Sequence, residues 1–182
     1  TINTLTRRRC LRLVAAAFAS TAFPRLALAR TWPTKPVRVI VPFAPGGTTD
    51  IFARLLAQKL TERLGIQFSV ENVAGASGNI GTGYAAKAAP DGYTILFADT
   101  SYVVNPSLFA SASYDVNKDF EPVMLAVRSP TVLSVSPLMP ATTVNDLVAL
   151  IGANPGKYNF ASAGVGTQAH LLGETFRSSL GL

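Results

Sequence analysis

Four of the five residues in Val37-Arg38-Val39-Ile40-Val41 are β-branched and apolar, and a cluster of chain breakers and hydroxyls follows at once, Pro42-Phe43-Ala44-Pro45-Gly46-Gly47-Thr48-Thr49. Ile51, Phe52, Leu55, Leu56, Leu60 and Leu64 then recur at helical spacing. A near-continuous apolar run reads as a strand covered on both faces, as in a parallel sheet. Parallel strands need a crossover, and a helix directly after the strand supplies one. Thr48 or Thr49 can cap that helix, Asp50 suits its first turn, and Gly65 ends it. This single unit confines the chain to α/β architectures.

The unit repeats. Residues 67–71 read as a short strand. Gly75-Ala76-Ser77-Gly78-Asn79-Ile80-Gly81 is a glycine-rich turn into an Ala-rich helix that stops at Pro90. Asp91-Gly92 makes a turn and residues 93–98 a third strand. Strands alternating with helices predict a parallel sheet with right-handed crossovers. Beyond Asp119-Phe120-Glu121-Pro122 the pattern changes: residues 123–127 and 131–135 read as strands with only Arg128-Ser129-Pro130 between them. They form a hairpin, or one long strand leaving a first domain for a second. Thr143-Val144-Asn145-Asp146 is close to a capping box and opens a helix to about Asn154. Residues 158–161 read as a strand, Ser162-Ala163-Gly164-Val165-Gly166-Thr167 as another Gly/hydroxyl loop, and Leu171, Leu172, Phe176 and Leu180 as a final helix.

The same device therefore occurs twice: Pro45-Gly46-Gly47-Thr48-Thr49 and Ser162 to Thr167 each join a strand's C-terminal end to a helix N-terminus. Such ends carry unpaired N–H groups and partial positive charge, and glycines admit close approach, which together favour a carboxylate. Two such loops facing one another would hold a dicarboxylate at both ends. A tight βα connection is the competing reading for either loop alone. Ser77 and Asn79 can add donors from the third loop, which is equally explained as a turn needing positive φ. His170, in the first turn of the last helix, either reaches a ligand or lines the domain surface. Phe43, directly before the first loop, and Tyr102 can touch a ligand stem; Tyr93 suits packing better. Arg38 reads as a surface charge, while Arg128 stays open as a carboxylate partner.

Other chemistries fit poorly. Gly164-Val165-Gly166-Thr167-Gln168-Ala169 matches a dinucleotide fingerprint, but no acid follows about 20 residues on. Gly46-Gly47-Thr48-Thr49 lacks the phosphate-loop lysine. Ser162 has no nucleophile-elbow context. Cys10 and His170 are the only cysteine and histidine, which leaves no Cys- or His-based metal site and no cofactor expected.

Net charge is +6, yet Arg7, Arg8, Arg9, Arg12 and Arg25 all precede residue 30 with no acid among them. From Arg30 onward 11 Lys/Arg meet 10 Asp/Glu, so the folded part is near neutral and no nucleic-acid partner is expected. Residues 1–29 read as an export signal: a basic start, a broken apolar run from Leu11 to Leu28, and Ala27-Leu28-Ala29 as the cleavage site. Thr6-Arg7-Arg8-Arg9-Cys10-Leu11-Arg12 is similar to a twin-arginine motif, so both Sec and Tat export fit. The first residue is Thr rather than Met, which puts the true start outside this sequence or makes it unusual.

Trp32-Pro33-x-Lys35-Pro36, Val41-Pro42-Phe43-Ala44-Pro45-Gly46-Gly47-x-x-Asp50, Glu71-Asn72, Gly78-Asn79-Ile80-Gly81, Ala89-Pro90-Asp91-Gly92-Tyr93-Thr94 and Gly164-x-Gly166-Thr167-x-x-His170-Leu171 occur in this order. The ordered set resembles the Bug family, the substrate receptors of tripartite tricarboxylate transporters in Gram-negative bacteria. The resemblance implies an α/β type II periplasmic-binding-protein (Venus flytrap) fold with two parallel-sheet domains, here residues 30–127 and the start of a second, incomplete domain at residues 128–182. It implies a periplasmic receptor, not an enzyme, monomeric if folded. Its ligand would be a small carboxylate (di- or tricarboxylate, amino acid or aromatic acid), passed to a membrane permease. The loops that grip the carboxylate in that family fall on Phe43 to Thr49 and on Ser162 to His170. Family members are far longer, so the chain reads as truncated, with sheet edges and apolar faces left uncovered. A non-binding relative without transport function is the alternative.

Overall fold

The structure is a computed structural model that describes residues 32–182. The expected export segment, residues 1–29, lies outside the described residues. The chain begins with the expected alternation: β1 (Val37–Val41), α1 (Thr48–Leu64), β2 (Phe68–Asn72), a 3₁₀ turn (Ala76–Gly78), α2 (Asn79–Ala86), β3 (Thr94–Leu96) and α3 (Ser101–Leu108). Two further helices follow, α4 (Val144–Gly152) and α5 (Gln168–Ser179).

The three strands make one parallel sheet in the order β2-β1-β3. Val39 of β1 stands opposite Val70 and Ile95, so the most apolar strand takes the centre. Val37, Val39 and Val41 join Ala53, Ala57 and Phe68 in the core, with Leu60, Val70, Ile95 and Phe97 packed against them. Arg38 alone on β1 is exposed. It bonds the Tyr84 hydroxyl (3.1 Å) and Thr94 Oγ1 (3.3 Å) and lies 3.5 Å from Glu71, so it ties α2 and both outer strands to the middle one.

Helix α1 turns a different stripe to the sheet from the one its leucines suggest. Its buried residues are Asp50, Ala53 and Ala57, whereas Ile51 and Leu55 are 57% and 51% exposed. Small alanines let the helix axis come close to the sheet, and the larger apolar side chains are left to its flanks and outer face. On the opposite side, Gly81 allows α2 to lie against Pro42 and Val73: a Cβ there would be 2.7 Å from Pro42 Cα and closer still to the Val73 carbonyl.

Helix α3, which the sequence reading does not contain, follows β3 and runs through Pro106. Tyr102, Tyr114 and Phe120 stack and cross edge-to-face at ring separations of 5.6 to 6.4 Å, holding the segment after α3 to that helix. Tyr114 also donates to the Tyr102 carbonyl (3.0 Å), and burial pushes its phenol pKa up.

The strands expected at residues 123–127, 131–135 and 158–161 are not strands here. A strand exists only as a member of a hydrogen-bonded ladder, and among the described residues ladders form only between β1, β2 and β3. Residues 121–138 run exposed, with Val123 84% and Leu138 93% accessible. Residues 131–135 and 158–161 instead flank an apolar groove of about 920 Å³, walled by Leu147 and Ile151 of α4 and by Leu172 and Phe176 of α5. The α4 cap is fuller than the sequence suggests. Thr143 accepts from the Asp146 amide (3.1 Å) while Asp146 accepts from the Thr143 amide (3.0 Å), a complete capping box.

Candidate ligand-binding site

Each strand of the sheet ends in a loop that carries polar side chains and leads to a helix, and these loops adjoin one another beyond the strands' C-terminal ends. After β1 the chain passes Pro42 and Phe43 and reaches Gly46, whose φ of +84° lies in the left-handed region that suits glycine. Gly47 is the N-cap of α1, in extended conformation and with no side-chain cap bond. The capping expected of Thr48 or Thr49 is therefore absent: both lie inside the helix. Asp50, one turn in, takes over the reciprocal part. Its Oδ2 accepts from the Gly46 amide (2.9 Å) and from Arg54 Nε (3.0 Å), and its Oδ1 accepts from Asn72 Nδ2 (2.8 Å). Arg54 Nη2 lies 3.0 Å from the same Oδ1 and donates to Asn72 Oδ1 (2.7 Å). Asn72 Nδ2 also donates to the Phe43 carbonyl (3.0 Å). The Arg54 guanidinium, then the Gly46 and Asn72 amides, hold the buried Asp50 carboxyl at a pKa of about 2. The first intrahelical bond runs from the Ile51 amide to the Gly47 carbonyl (3.0 Å). The amides of residues 47–50 thus have no intrahelical acceptor.

After β2 the backbone turns through two left-handed residues. Ala76 and Ser77 have φ of +48° and +53°, although neither is glycine. Such residues cost on the order of 1 kcal/mol each and persist only where neighbours hold them. Asn105 of α3 donates to the Ser77 carbonyl (2.8 Å), and Asn79 donates to the Ala76 carbonyl (3.0 Å). Those bonds fix both amide orientations and leave the Oδ1 atoms of Asn79 and Asn105 buried without a hydrogen-bond partner. After β3, Asp99 accepts from the amide and the hydroxyl of Ser101, which is itself buried.

The fourth loop, before α5, is closed on itself. Thr167, buried at the N-cap, donates its hydroxyl to the Gly164 carbonyl (2.7 Å), and the Gly164 amide donates to Ser162 Oγ (3.3 Å). The Gly166 amide donates to His170 Nδ1 at 3.5 Å, and the His170 ring lies 6.0 Å from that of Phe160.

The sequence candidates meet in two places. Phe43 packs on Gly78, where a Cβ would come within 3.3 Å of the ring, and Ser101 adjoins the same glycine. Gly164 faces Ser77, where a Cβ would come within 2.8 Å of the hydroxyl, and Gly166 faces Asn105 and Leu108 of α3. The turn carrying Ser77 and Asn79 is thus the joint between Phe43 and the Ser162–His170 region. Pro45, Gly46, Gly47 and Thr48 are exposed at the first loop and Thr49 half-buried. Arg38 is engaged across the sheet, Tyr93 bonds Thr34 near the chain's entry to β1, and Tyr102 packs in the aromatic cluster. Arg128 lies exposed in the extended segment. Sequence reasoning missed Asn105, Ser101 and the Asp50–Arg54–Asn72 group. A buried Asn has no periodic signature, and Asn72 lies 22 residues from Asp50, so no local pattern links the last group.

Among the described residues no group of three or more His, Cys, Asp or Glu is placed to hold a metal ion, and no helix is long and apolar enough to cross a membrane. The loops offer amides, hydroxyls and carboxamides, and α2 and α5 carry no acid in their first turns.

The family described as "Tripartite tricarboxylate transporter family receptor" matches residues 52–182. The chain belongs to this receptor family. It is 40% identical over 175 residues to Protein BugT of Bordetella pertussis, covering 95% of this chain and 54% of BugT. Among solved structures it is similar to R. palustris Rpa4515 with adipate (38% identity, TM-score 0.79) and to MatC of Rhodopseudomonas palustris with bound malate (30% identity, TM-score 0.76). It is also similar to the periplasmic binding protein BugD (33% identity, TM-score 0.70). These three alignments cover 83% of this chain and 50 to 52% of the others. The chain therefore has the α/β fold of the periplasmic binding proteins and spans about half the length of its receptor relatives.

Proposed function

We propose that this chain forms the ligand-gripping part of a periplasmic receptor that captures a small carboxylate and hands it to the permease of a tripartite transporter. Residues 30–127 would form one lobe and the chain from residue 128 would begin the other. The carrying observation is the meeting of Ser77 with Gly164 beside Asn105 and Gly166, at helix ends free of carboxylates. Helix N-termini with unopposed partial positive charge and neutral donors suit a carboxylate without a lysine or arginine. Two relatives whose solved structures hold adipate and malate support the same ligand class.

The test is thermal unfolding of the chain with malate, adipate, citrate, aspartate and an aromatic acid. A ligand selective for the native state raises the midpoint in proportion to its occupancy. A shift with one of these acids supports the reading, and an unchanged midpoint across the panel refutes it. A second reading, a relative that binds nothing, draws on the exposed apolar residues from Val123 to Leu138; it predicts that unchanged midpoint.

A further inference from the structure

We propose that Asp50 is the positioning residue of the first loop: with Arg54 and Asn72 it clamps residues 43–47 so that the amides after Gly46, and not Gly46 itself, face a ligand. The proposal rests on the carboxylate-receptor reading for its consequence, but the clamp itself is a property of the free chain.

Three contacts carry it. The Gly46 amide is already used, because it donates to Asp50 Oδ2 at 2.9 Å. The Phe43 carbonyl is held at the other end of the loop by Asn72 Nδ2, which also reaches Asp50 Oδ1. Both ends of a loop rich in Pro and Gly are therefore tied to one buried carboxylate and one amide at the end of the neighbouring strand. What remains unspent is the set of helix-start amides from Gly47 onward.

The clamp also answers an electrostatic objection. A buried carboxylate at the start of α1 places a negative charge close to the amides that would meet a bound anion, and an unneutralised one would repel it. Arg54 lies against both carboxylate oxygens, at 3.0 Å each, and cancels that charge locally. Asp50 thus organises the loop while Arg54 removes its penalty for an incoming acid. Neither residue touches the ligand in this arrangement.

The experiment uses the chain labelled with ¹⁵N, the variants Asp50→Asn and Asn72→Ser, and malate and adipate as probes. In the free wild type the Gly46 amide should resonate downfield, as expected for donation to a carboxylate, and amides 46–48 should be ordered. In Asp50→Asn the Gly46 signal should move upfield and those amides should become mobile while strand amides stay unchanged. Affinity for whichever probe binds the wild type should fall about 10-fold or more, the loss expected for one charge-assisted hydrogen bond. Asn72→Ser, which keeps the charge, should loosen the loop at Phe43 and give a smaller loss; it decides the matter if Asp50→Asn does not fold. Loop amides as ordered in both folded variants as in the wild type would overturn the clamp, whether or not any acid binds. A wild type that binds neither probe, with the loop disordered only in the variants, would leave the clamp standing and sink the receptor reading.

Discussion

Gly166 lies directly against the side-chain oxygen of Asn105: a Cβ at Gly166 would sit 2.7 Å from Asn105 Oδ1 and 3.0 Å from Leu108 Cδ1. The loop before α5 therefore rests on α3 through a contact that only glycine permits.

Gly166→Ala should lift that loop from α3. The new methyl collides with a fully buried side chain, and φ of +86° is unfavourable for alanine. A loss of about 1–3 kcal/mol is expected in urea unfolding, together with weaker malate or adipate binding. Unchanged stability would mean that the loop does not rest on α3 in solution.

Gly81→Ala probes the seat of α2 on the ends of β1 and β2. Its neighbours are backbone atoms of Pro42 and Val73, which cannot swing aside as a side chain does. The expected cost is again about 1–3 kcal/mol, and the Phe43 loop should shift with Pro42. Wild-type stability in this variant would contradict the close packing of α2 on the β1 and β2 ends.

The Asp50 carboxyl titrates at about 2 in the folded chain, below the ordinary aspartate value of about 3.9. A depressed folded-state pKa contributes stability that is fully present above the unfolded value and is lost as pH falls through the folded one. The stability gap between wild type and Asp50→Asn should therefore be constant from pH 7 down to about 5 and close between about pH 4 and 2. Urea titrations at those pH values measure it. A gap that stays constant down to pH 2, or widens as pH falls from 7 to 5, would mean the Arg54 pairing is not made.

Thr143→Ala removes half of a capping box that stands at the surface, away from the sheet. It should cost about 1 kcal/mol and leave ligand affinity unchanged. A change in affinity would show that α4 is coupled to the candidate loops.

Much of the first sheet was legible because its signals are local. The β-branched run of β1, the breaker loop and Gly65 with φ of +69° all do what their chemistry dictates. The stripe that α1 turns to the sheet was not legible, because leucine count outweighs two alanines in any hydrophobic pattern, whereas distance to the sheet favours the smaller residues. Residues 123–127, 131–135 and 158–161 have the composition of strands, but pairing is a property of neighbours, and composition cannot supply one. The candidate loops were visible as Gly and hydroxyl clusters. Their junction through Ser77 was not, because it depends on two non-glycine residues in left-handed conformation and on Asn105, 28 residues beyond Ser77 in the chain.

The register of the sheet sets an order of assembly. Val37 pairs with Phe68, 31 residues away, and Arg38 with Thr94, 56 residues away. Closing the longer span costs only about 0.5 kcal/mol more in chain entropy, yet it returns three paired residues where β2 returns five. The β1-α1-β2 crossover unit is therefore the better nucleus, and β3 the strand that zips on last and opens first. Amides of residues 94–96 should exchange with solvent ahead of those in β1 and β2, and with them the tether to α3, so the loops beyond β3 would breathe on a faster clock than the loop held by Asp50.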